Sequence, residues 1–501
     1  MYFIGLDIGS SFVKASLLDG DSGQCLAAAS SPGQEMPIRA PKPGWAEQDP
    51  DMWWENVVLA VRQLKGKTGR DATPVGGVGI AYQMHGLVTV SKDLSPVRPA
   101  IIWCDSRAVE TGRKAFEKAG EAHCLTRLLN SPGNFTASKL GWVKVNEPQH
   151  YREAYKAMLP GDYIAMKLTG EVNTTAGGLS EAILWDYQTY SIAGFLLKSM
   201  DLSPSLFPSL VPAIGIQGYL RQEAAAELGL DPGITVSYRS GDQPNNAFSL
   251  NVLEPGEIAA TAGTSGVVYA VSDQVRYDPL SRVNTFLHVN HTPQRIRLGI
   301  LLCINGTGII NAWMKRNAGG GLLSYEEMNE QAAAVPAGAE GLLILPFGNG
   351  AERMLQNNDT GCHISGLNFN THRAPHLFRA AQEGVAFAFH YGMKIMKENG
   401  VSPAVVRAGH SNLFLSPVFC QTLSSLSNLV IELYDTDGSL GAARGAALGS
   451  GFYTSTDDCF RHLSRIKTVF PDPALGSLLN EVYDRWEKEL SGLLRPRRYH
   501  Y

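Results

Sequence analysis

Two distant stretches of this chain share one plan. Residues 3–18, FIGLDIGSSFVKASLL, set an apolar run, a Gly-Ser-Ser turn and a second apolar run in series. Residues 257–271, EIAATAGTSGVVYAV, do the same around Gly-Thr-Ser-Gly. Such runs read as strands, and turns this short join only antiparallel neighbours. The elements after each copy are also alike. After the first comes a third strand, CLAAAS, and then a helix. Asp49 is its predicted cap, Pro50 its first residue, and Trp53, Val57, Val61 and Leu64 form its apolar stripe. A buried strand, VGGVGIAY, ends at Gln83-Met84-His85-Gly86. After the second copy come RIRLGILLCI as a third strand, helical periodicity with Trp313, and LLILP at 342–346. A helix near 377–397, the strand VVRAG, a helix near 416–427, the strand LVIELY and a helix opening at LGAARGAALG complete the pattern. The expectation is two similar α/β domains, 1–238 and 239–501, with the site in a cleft between them. The last helix is free to pack back on the first domain.

Composition narrows the function. Of 501 residues, 44% are hydrophobic and 18% charged, which fits a globular chain and not a disordered one. The net charge of −4 and the single short basic cluster, LLRPRRYHY, argue against nucleic acid as a partner; that cluster reads as a solvated end. Seven scattered cysteines without a CxxC pair suit reduced thiols in a cytoplasmic protein. No basic signal-like start and no apolar run of about 18 residues is present, so no membrane association is expected.

Asp7 is the first residue that demands an explanation, because a carboxylate inside an apolar strand is costly without a partner. It precedes Gly9, Ser10 and Ser11. The second turn holds Gly263, Thr264, Ser265 and Gly266. Glycines admit close backbone approach, and N–H groups with hydroxyls suit phosphate oxygens. Each turn alone reads as a plain hairpin; two at matching places point to a phosphate clamp. Neither has P-loop or dinucleotide-fold spacing. Asp7 beside such a turn can hold Mg²⁺ through water. Lys14 either adds positive charge near the phosphates or is an ordinary exposed lysine. Asp242, in YRSGDQPNNAF, falls where the halves meet. It can take a proton from an attacking hydroxyl, cap a helix starting near Pro244, or both. Met84 and His85 end a strand where ligands gather in α/β sheets. Trp103, Asp105 and Arg107 in WCDSR form either an aromatic-plus-polar sugar contact or a strand end with an ion pair.

In these residues the chain resembles the FGGY carbohydrate kinase family along essentially its whole length, and most of all its xylulose-phosphorylating branch. DIGSSFVKASLLD, GWAEQDPDMWW, GIAYQMHG, RPAIIWCDSR, FTASKLGWVKVNEP, LPGDYIAMKLTGE, GDQ, GTSGVVYAVSD, GAERMLQNNDTGCHISGL and EGVAFAF occur in the family's order. The resemblance implies two ribonuclease-H/actin-like domains and ATP- and Mg²⁺-dependent phosphorylation of a ketopentose at its terminal hydroxyl. D-xylulose, giving D-xylulose 5-phosphate, is the first expectation. Another ketose or polyol such as ribulose, a non-catalytic sugar-binding regulator, and an actin- or chaperone-like ATPase are the alternatives. It implies Asp242 as general base, and Asp7 and Asp242 toward Mg²⁺. It puts Met84, His85 and Gln243 on the sugar, both turns on the phosphates, and Gly409 and Gly441 near the nucleotide. A homodimer is compatible with it. Three places depart from the family pattern: VRAGHSN replaces a glycine run, Gln243-Pro244-Asn245-Asn246 comes after the base, and Trp-Cys-Asp-Ser-Arg replaces Trp-Asn-Asp-Gly-Arg.

Overall fold

The computed structural model describes residues 1–68 and 74–494, so the basic tail lies outside the described residues from 495 onward. The chain forms two compact α/β units, and neither is one continuous stretch. The first comprises Met1–Asn251, Phe286–Arg297 and Thr436–Leu463; the second comprises Val252–Thr285, Leu298–Asp435 and the chain from Ser464. Residue 238, the boundary suggested by sequence, lies inside a strand, where a cut would open a hydrogen-bonded ladder.

The first unit is built on six strands: β1 (Tyr2–Ile8), β2 (Val13–Asp19), β3 (Cys25–Ser31), β4 (Val75–Tyr82), β5 (Ile214–Tyr219) and β6 (Thr235–Gly241). Their order is β5-β6-β4-β1-β2-β3. The short turns give antiparallel β1–β2 and β2–β3 pairs, whereas β4 runs parallel to both β1 and β6. On one face lies the helix Pro50–Thr68. The Asp49 carboxylate accepts from the Asp51 N–H at 3.0 Å, as a cap should, and Trp53, Val57, Val61 and Leu64 are buried. Each such side chain contributes roughly 1.5–3 kcal/mol by leaving water.

The opposite face receives the helix Gly438–Gly449, from the far end of the sequence. Strand glycines make room for it. A Cβ on Gly5 would stand 1.8 Å from the Ser439 carbonyl oxygen, and one on Gly79 would stand 2.0 Å from that of Ala442. The glycines of VGGVGIAY therefore mark a close backbone approach.

The second unit repeats the plan with one strand more: β7 (Glu257–Ala262), β8 (Gly266–Ser272), β9 (Asn284–Leu287, whose last two residues fall in the first unit), β10 (Leu298–Ile304), β11 (Val405–Gly409), β12 (Val430–Tyr434) and β13 (Arg465–Val469). The order is β9-β10-β8-β7-β11-β12-β13. LLILP contributes to a strand, Leu343–Phe347, but pairs only with Gly361–Ser365 and stays outside the main sheet. The final helix, Pro473–Leu494, packs on the helix Pro417–Ser427 within this unit, with the Trp486 indole donating to the Ile344 carbonyl at 2.9 Å. The C-terminal helix that joins the first unit is instead Gly438–Gly449. Among the described residues no helix is long and apolar enough to cross a membrane.

Candidate active site

Three parallel strands of the first unit end level with one another. Tyr82 of β4 pairs with Ile8 of β1 on one side and Gly241 of β6 on the other. Register therefore brings Asp7, Gln83-Met84-His85 and Asp242 to one sheet edge. The carboxyl edge of parallel strands is where α/β proteins bind ligands.

Asp7 is enclosed by the helix Gly438–Gly449. A Cβ on Gly438 would stand 2.6 Å from Asp7 Oδ2, so any side chain there would crowd the carboxylate. Asp437 caps that helix, accepting from the Leu440 N–H at 2.9 Å. Burial pushes the Asp7 carboxyl up to about 6; Lys14, directly opposite on β2, draws it down, and Asp437 raises it further. Lys14 is itself exposed.

Asp242 opens the helix Asp242–Ser249, and Gly241 occupies the cap position. The helix thus starts two residues earlier than expected, and Asp242 is its first residue and not its cap. Burial, and then the charge of Asp7, push its carboxyl up to about 7, while hydrogen bonds from Gln243 oppose the shift. Two half-buried carboxylates with raised pKa, the charge of one pushing up the other, mark a functional edge.

The sugar-side residues surround a strained turn. His85 has φ +62°, a left-handed conformation costly for a residue other than glycine. Its surroundings hold it there. Its N–H donates to Glu181 Oε2 at 3.3 Å, its carbonyl accepts from the buried Lys139 ammonium at 2.7 Å, and Phe135 and Phe286 pack on its ring. Burial pushes the Lys139 ammonium down to about 7. Glu181 accepts from the Tyr82 hydroxyl, and burial holds its carboxyl well above the usual range. A cavity of about 330 Å³ opens here, with Met84, Glu181, Gly241, Pro244, Phe286 and Asn290 in its wall. Gly241 and Pro244 flank Asp242 and Gln243, which puts the base candidate at the cavity's edge. A Cβ on Gly241 would collide with Met84 at 2.6 Å.

Sequence reasoning missed Glu181 and the segment Phe286–Arg297. An acid inside the apolar GLSEAILW was the available signal for the first. The second is supplied by a chain excursion that no local pattern announces.

WCDSR divides. Trp103 is 53% exposed, and its indole N–H reaches Ser10 Oγ at 3.3 Å. Asp105 and Arg107 are buried and committed to the protein. Asp105 accepts from the Ala46 N–H and from Arg107; Arg107 also pairs with Glu47 and stacks on Trp45. The ion-pair reading holds for these two, with the pair buried and not at the surface. Gly441 is buried where two helices cross, and a Cβ there would meet Ser249 Cβ at 2.5 Å.

Around the first turn, the Gly9 N–H donates to the Phe12 carbonyl at 3.0 Å, and the Ser10 and Ser11 carbonyls accept from Gln48 and Met36. In the second unit Gly263, Thr264 and Ser265 link β7 to β8, with Thr264 and Ser265 exposed. The Gly263 and Thr264 carbonyls accept from the Gly308 and Ile309 N–H groups, which open the helix Thr307–Asn317. Gly266 faces Thr307 and Phe389 too closely for any side chain. Gly409 ends β11 and its carbonyl accepts from the Ser411 N–H.

The donors beside Asp7 and Asp242 suit a small hard cation. The side-chain oxygens of Gln243 and Asn245 are buried and accept no hydrogen bond. Two carboxylates with unspent carboxamide oxygens match a hydrated Mg²⁺. Among the described residues no group of three or more His, Cys, Asp or Glu side chains is placed to cage a metal.

Residues 2–249 match the N-terminal domain, and residues 258–450 the C-terminal domain, of the FGGY family of carbohydrate kinases. A xylulose kinase of Klebsiella pneumoniae is 30% identical over 89% of this chain and 88% of its own. The crystal structure of xylulose kinase from Rhodospirillum rubrum superposes with a TM-score of 0.88 at 25% identity, covering 98% of this chain and 99% of that one. A gluconate kinase structure from Lactobacillus acidophilus reaches 0.89 at 20% identity, over 98% of both chains, which speaks to the fold. Two units with repeated sheets, a carboxylate-bearing strand edge and matches along nearly the whole length have one reading: this chain belongs to the FGGY family of carbohydrate kinases.

Proposed function

We propose that the protein transfers the γ-phosphoryl group of ATP to the terminal hydroxyl of a ketopentose, D-xylulose first, yielding D-xylulose 5-phosphate and ADP. The observation that carries this reading is Asp242, a half-buried carboxylate poised near pH 7 at the edge of the first unit's cavity. A base with that pKa is efficient at neutral pH. The acceptor hydroxyl gives its proton to Asp242 as its oxygen attacks the γ-phosphorus and the bond to ADP breaks. His85 and Glu181 present hydrogen-bonding groups toward sugar hydroxyls, and Met84 and Phe286 offer apolar contact to the carbon chain. Ser10, Ser11 and Lys14 of the first unit, and Gly263, Thr264 and Ser265 of the second, are assigned to phosphate oxygens, and Gly409 to the nucleotide. Asp7 and Asp242 are the residues that would hold Mg²⁺, which when bound neutralises phosphate charge. Such catalysis is mostly positioning and electrostatics, so rigid turns and a rigid strand edge suit it.

Named relatives support the sugar. The similar chains from Klebsiella pneumoniae and Rhodospirillum rubrum are both xylulose kinases. The test is ADP release measured across a panel of ketoses, polyols and aldonates. The expected result is the highest kcat/KM with D-xylulose. A higher value with ribulose, glycerol or gluconate overturns the substrate; no sugar-stimulated ADP overturns the reading as a whole.

A further inference from the structure

Gln83 is 3% exposed, yet neither its side-chain oxygen nor its nitrogen makes a hydrogen bond. Leaving both ends of a buried carboxamide unpaired is costly unless a ligand supplies the partners. Its place in the sheet says which ligand. β4 lies between β1 and β6, and the Gln83 N–H continues the ladder to the Ile8 carbonyl at 2.8 Å. Side chains alternate along a strand. Gly5 and Gly79 face the helix Gly438–Gly449, so Asp7 and Gln83 share that face. Tyr238 of β6 meets the same helix at Gly445, and Asp242, the first residue after β6, lies within reach of the charge of Asp7. Asp7, Gln83 and Asp242 therefore end three adjacent parallel strands, with the amide in the middle.

Asn245 extends the row. Its Nδ2 donates to the Gly438 carbonyl at 2.8 Å, next to Asp7, while its Oδ1 is buried and accepts nothing. The unspent acceptors here are all oxygens. A divalent cation that binds through few carboxylates keeps its own waters, and those waters are strong donors that need acceptors.

We propose that Gln83 is an outer-shell ligand of the divalent cation, its Oε1 accepting from a cation-bound water between Asp7 and Asp242, with Asn245 as a second acceptor. The inference rests on the kinase reading for the presence of a cation, and it is independent of which sugar reacts.

The test is Mn²⁺ binding to the full chain, monitored by electron paramagnetic resonance with ADP present and sugar absent. Gln83→Met keeps the side chain's length and removes its oxygen. It is expected to weaken Mn²⁺ binding about tenfold, the usual scale for losing an outer-shell partner, while leaving metal-free ADP affinity unchanged. Gln83→Glu keeps the acceptors and adds charge, so it should bind Mn²⁺ several-fold more tightly than the wild type. Wild-type affinity in Gln83→Met overturns the proposal. So does a loss in Gln83→Glu, which would mean a merely structural role and which can be read even if the Met variant fails to fold. Failure of the wild type to bind Mn²⁺ also overturns it and leaves the sugar assignment to the ADP-release panel.

Discussion

The two sheets are copies in layout and differ in what they carry. Taken from the third strand of each hairpin unit across the sheet, β3-β2-β1-β4-β6-β5 and β10-β8-β7-β11-β12-β13 have the same order. Strand directions match as well: antiparallel, antiparallel, parallel, parallel, antiparallel. The second sheet carries one further strand, β9, beside β10, and the opposite edge strand is supplied differently, β5 preceding its neighbour in sequence and β13 coming after it. Chemistry separates the copies. Asp7 stands two residues before Gly9; Thr261 stands two before Gly263. Gln83 comes directly after β4 where His410 comes after β11, and Asp242 comes after β6 where Asp435 comes after β12. The first sheet gathers half-buried carboxylates with raised pKa at its strand ends, and the second places a hydroxyl where Asp7 stands in the first. A scaffold repeats cheaply, and function resides in the few side chains grafted on one copy.

That contrast can be broken most directly at Asp242. Asp242→Asn should lower kcat by about 10³-fold, near 4 kcal/mol of transition-state stabilisation, with sugar binding retained in calorimetry. Turnover within tenfold of the wild type would remove Asp242 from the base role.

The same substitution should stabilise the ligand-free protein. A carboxyl raised from 3.8 to about 7 costs the folded state when ionised. The cost is full above pH 7 and fades as pH falls toward 4, because the folded state then holds the proton more tightly than the unfolded state. Thermal unfolding at pH 8 should show Asp242→Asn more stable by about 2–4 kcal/mol, with the gain vanishing near pH 4. A destabilised variant at pH 8 would contradict the burial argument.

Activity should track the same groups. Asp7 and Asp242 act as carboxylates, so kcat/KM should rise with pH, steeply toward about a hundredfold per unit below pH 6 where both titrate, about tenfold per unit between 6 and 7, and level off above about 8. A flat profile from about 5.5 to 8 would exclude both titrations from the rate.

Two smaller effects sharpen the comparison. His85→Ala should raise the sugar KM about tenfold with little change in kcat, as loss of a buried hydrogen-bonding contact would. An unchanged KM assigns the histidine to packing with Phe135 and Phe286. Thr261→Val, at the second sheet's counterpart of Asp7, should change kcat less than about threefold, since a hydroxyl carries no charge to the reaction. A loss comparable to that of Asp7→Asn would erase the asymmetry between the copies.

Much was legible in the sequence because it is local. Alternating apolar residues, short glycine turns and an Asp-Pro helix start are decided within a few residues, and they set the strands and helices. The repeated turn exposed the duplication, and an acid in an apolar strand singled out Asp7. Tertiary structure decided what depends on partners far along the chain. Register set Gln83 level with Asp242, 159 positions apart as the numbering reads, because ladder hydrogen bonds join residues that no periodicity links. The helix Gly438–Gly449 returned to the first sheet because Gly5 and Gly79 leave room for its backbone. Saturation of Asp105 and Arg107 by each other, and the unspent amide of Gln83, are likewise matters of three-dimensional contact. A residue's type shows which hydrogen bonds it can make, and only packing determines which of them remain for a ligand.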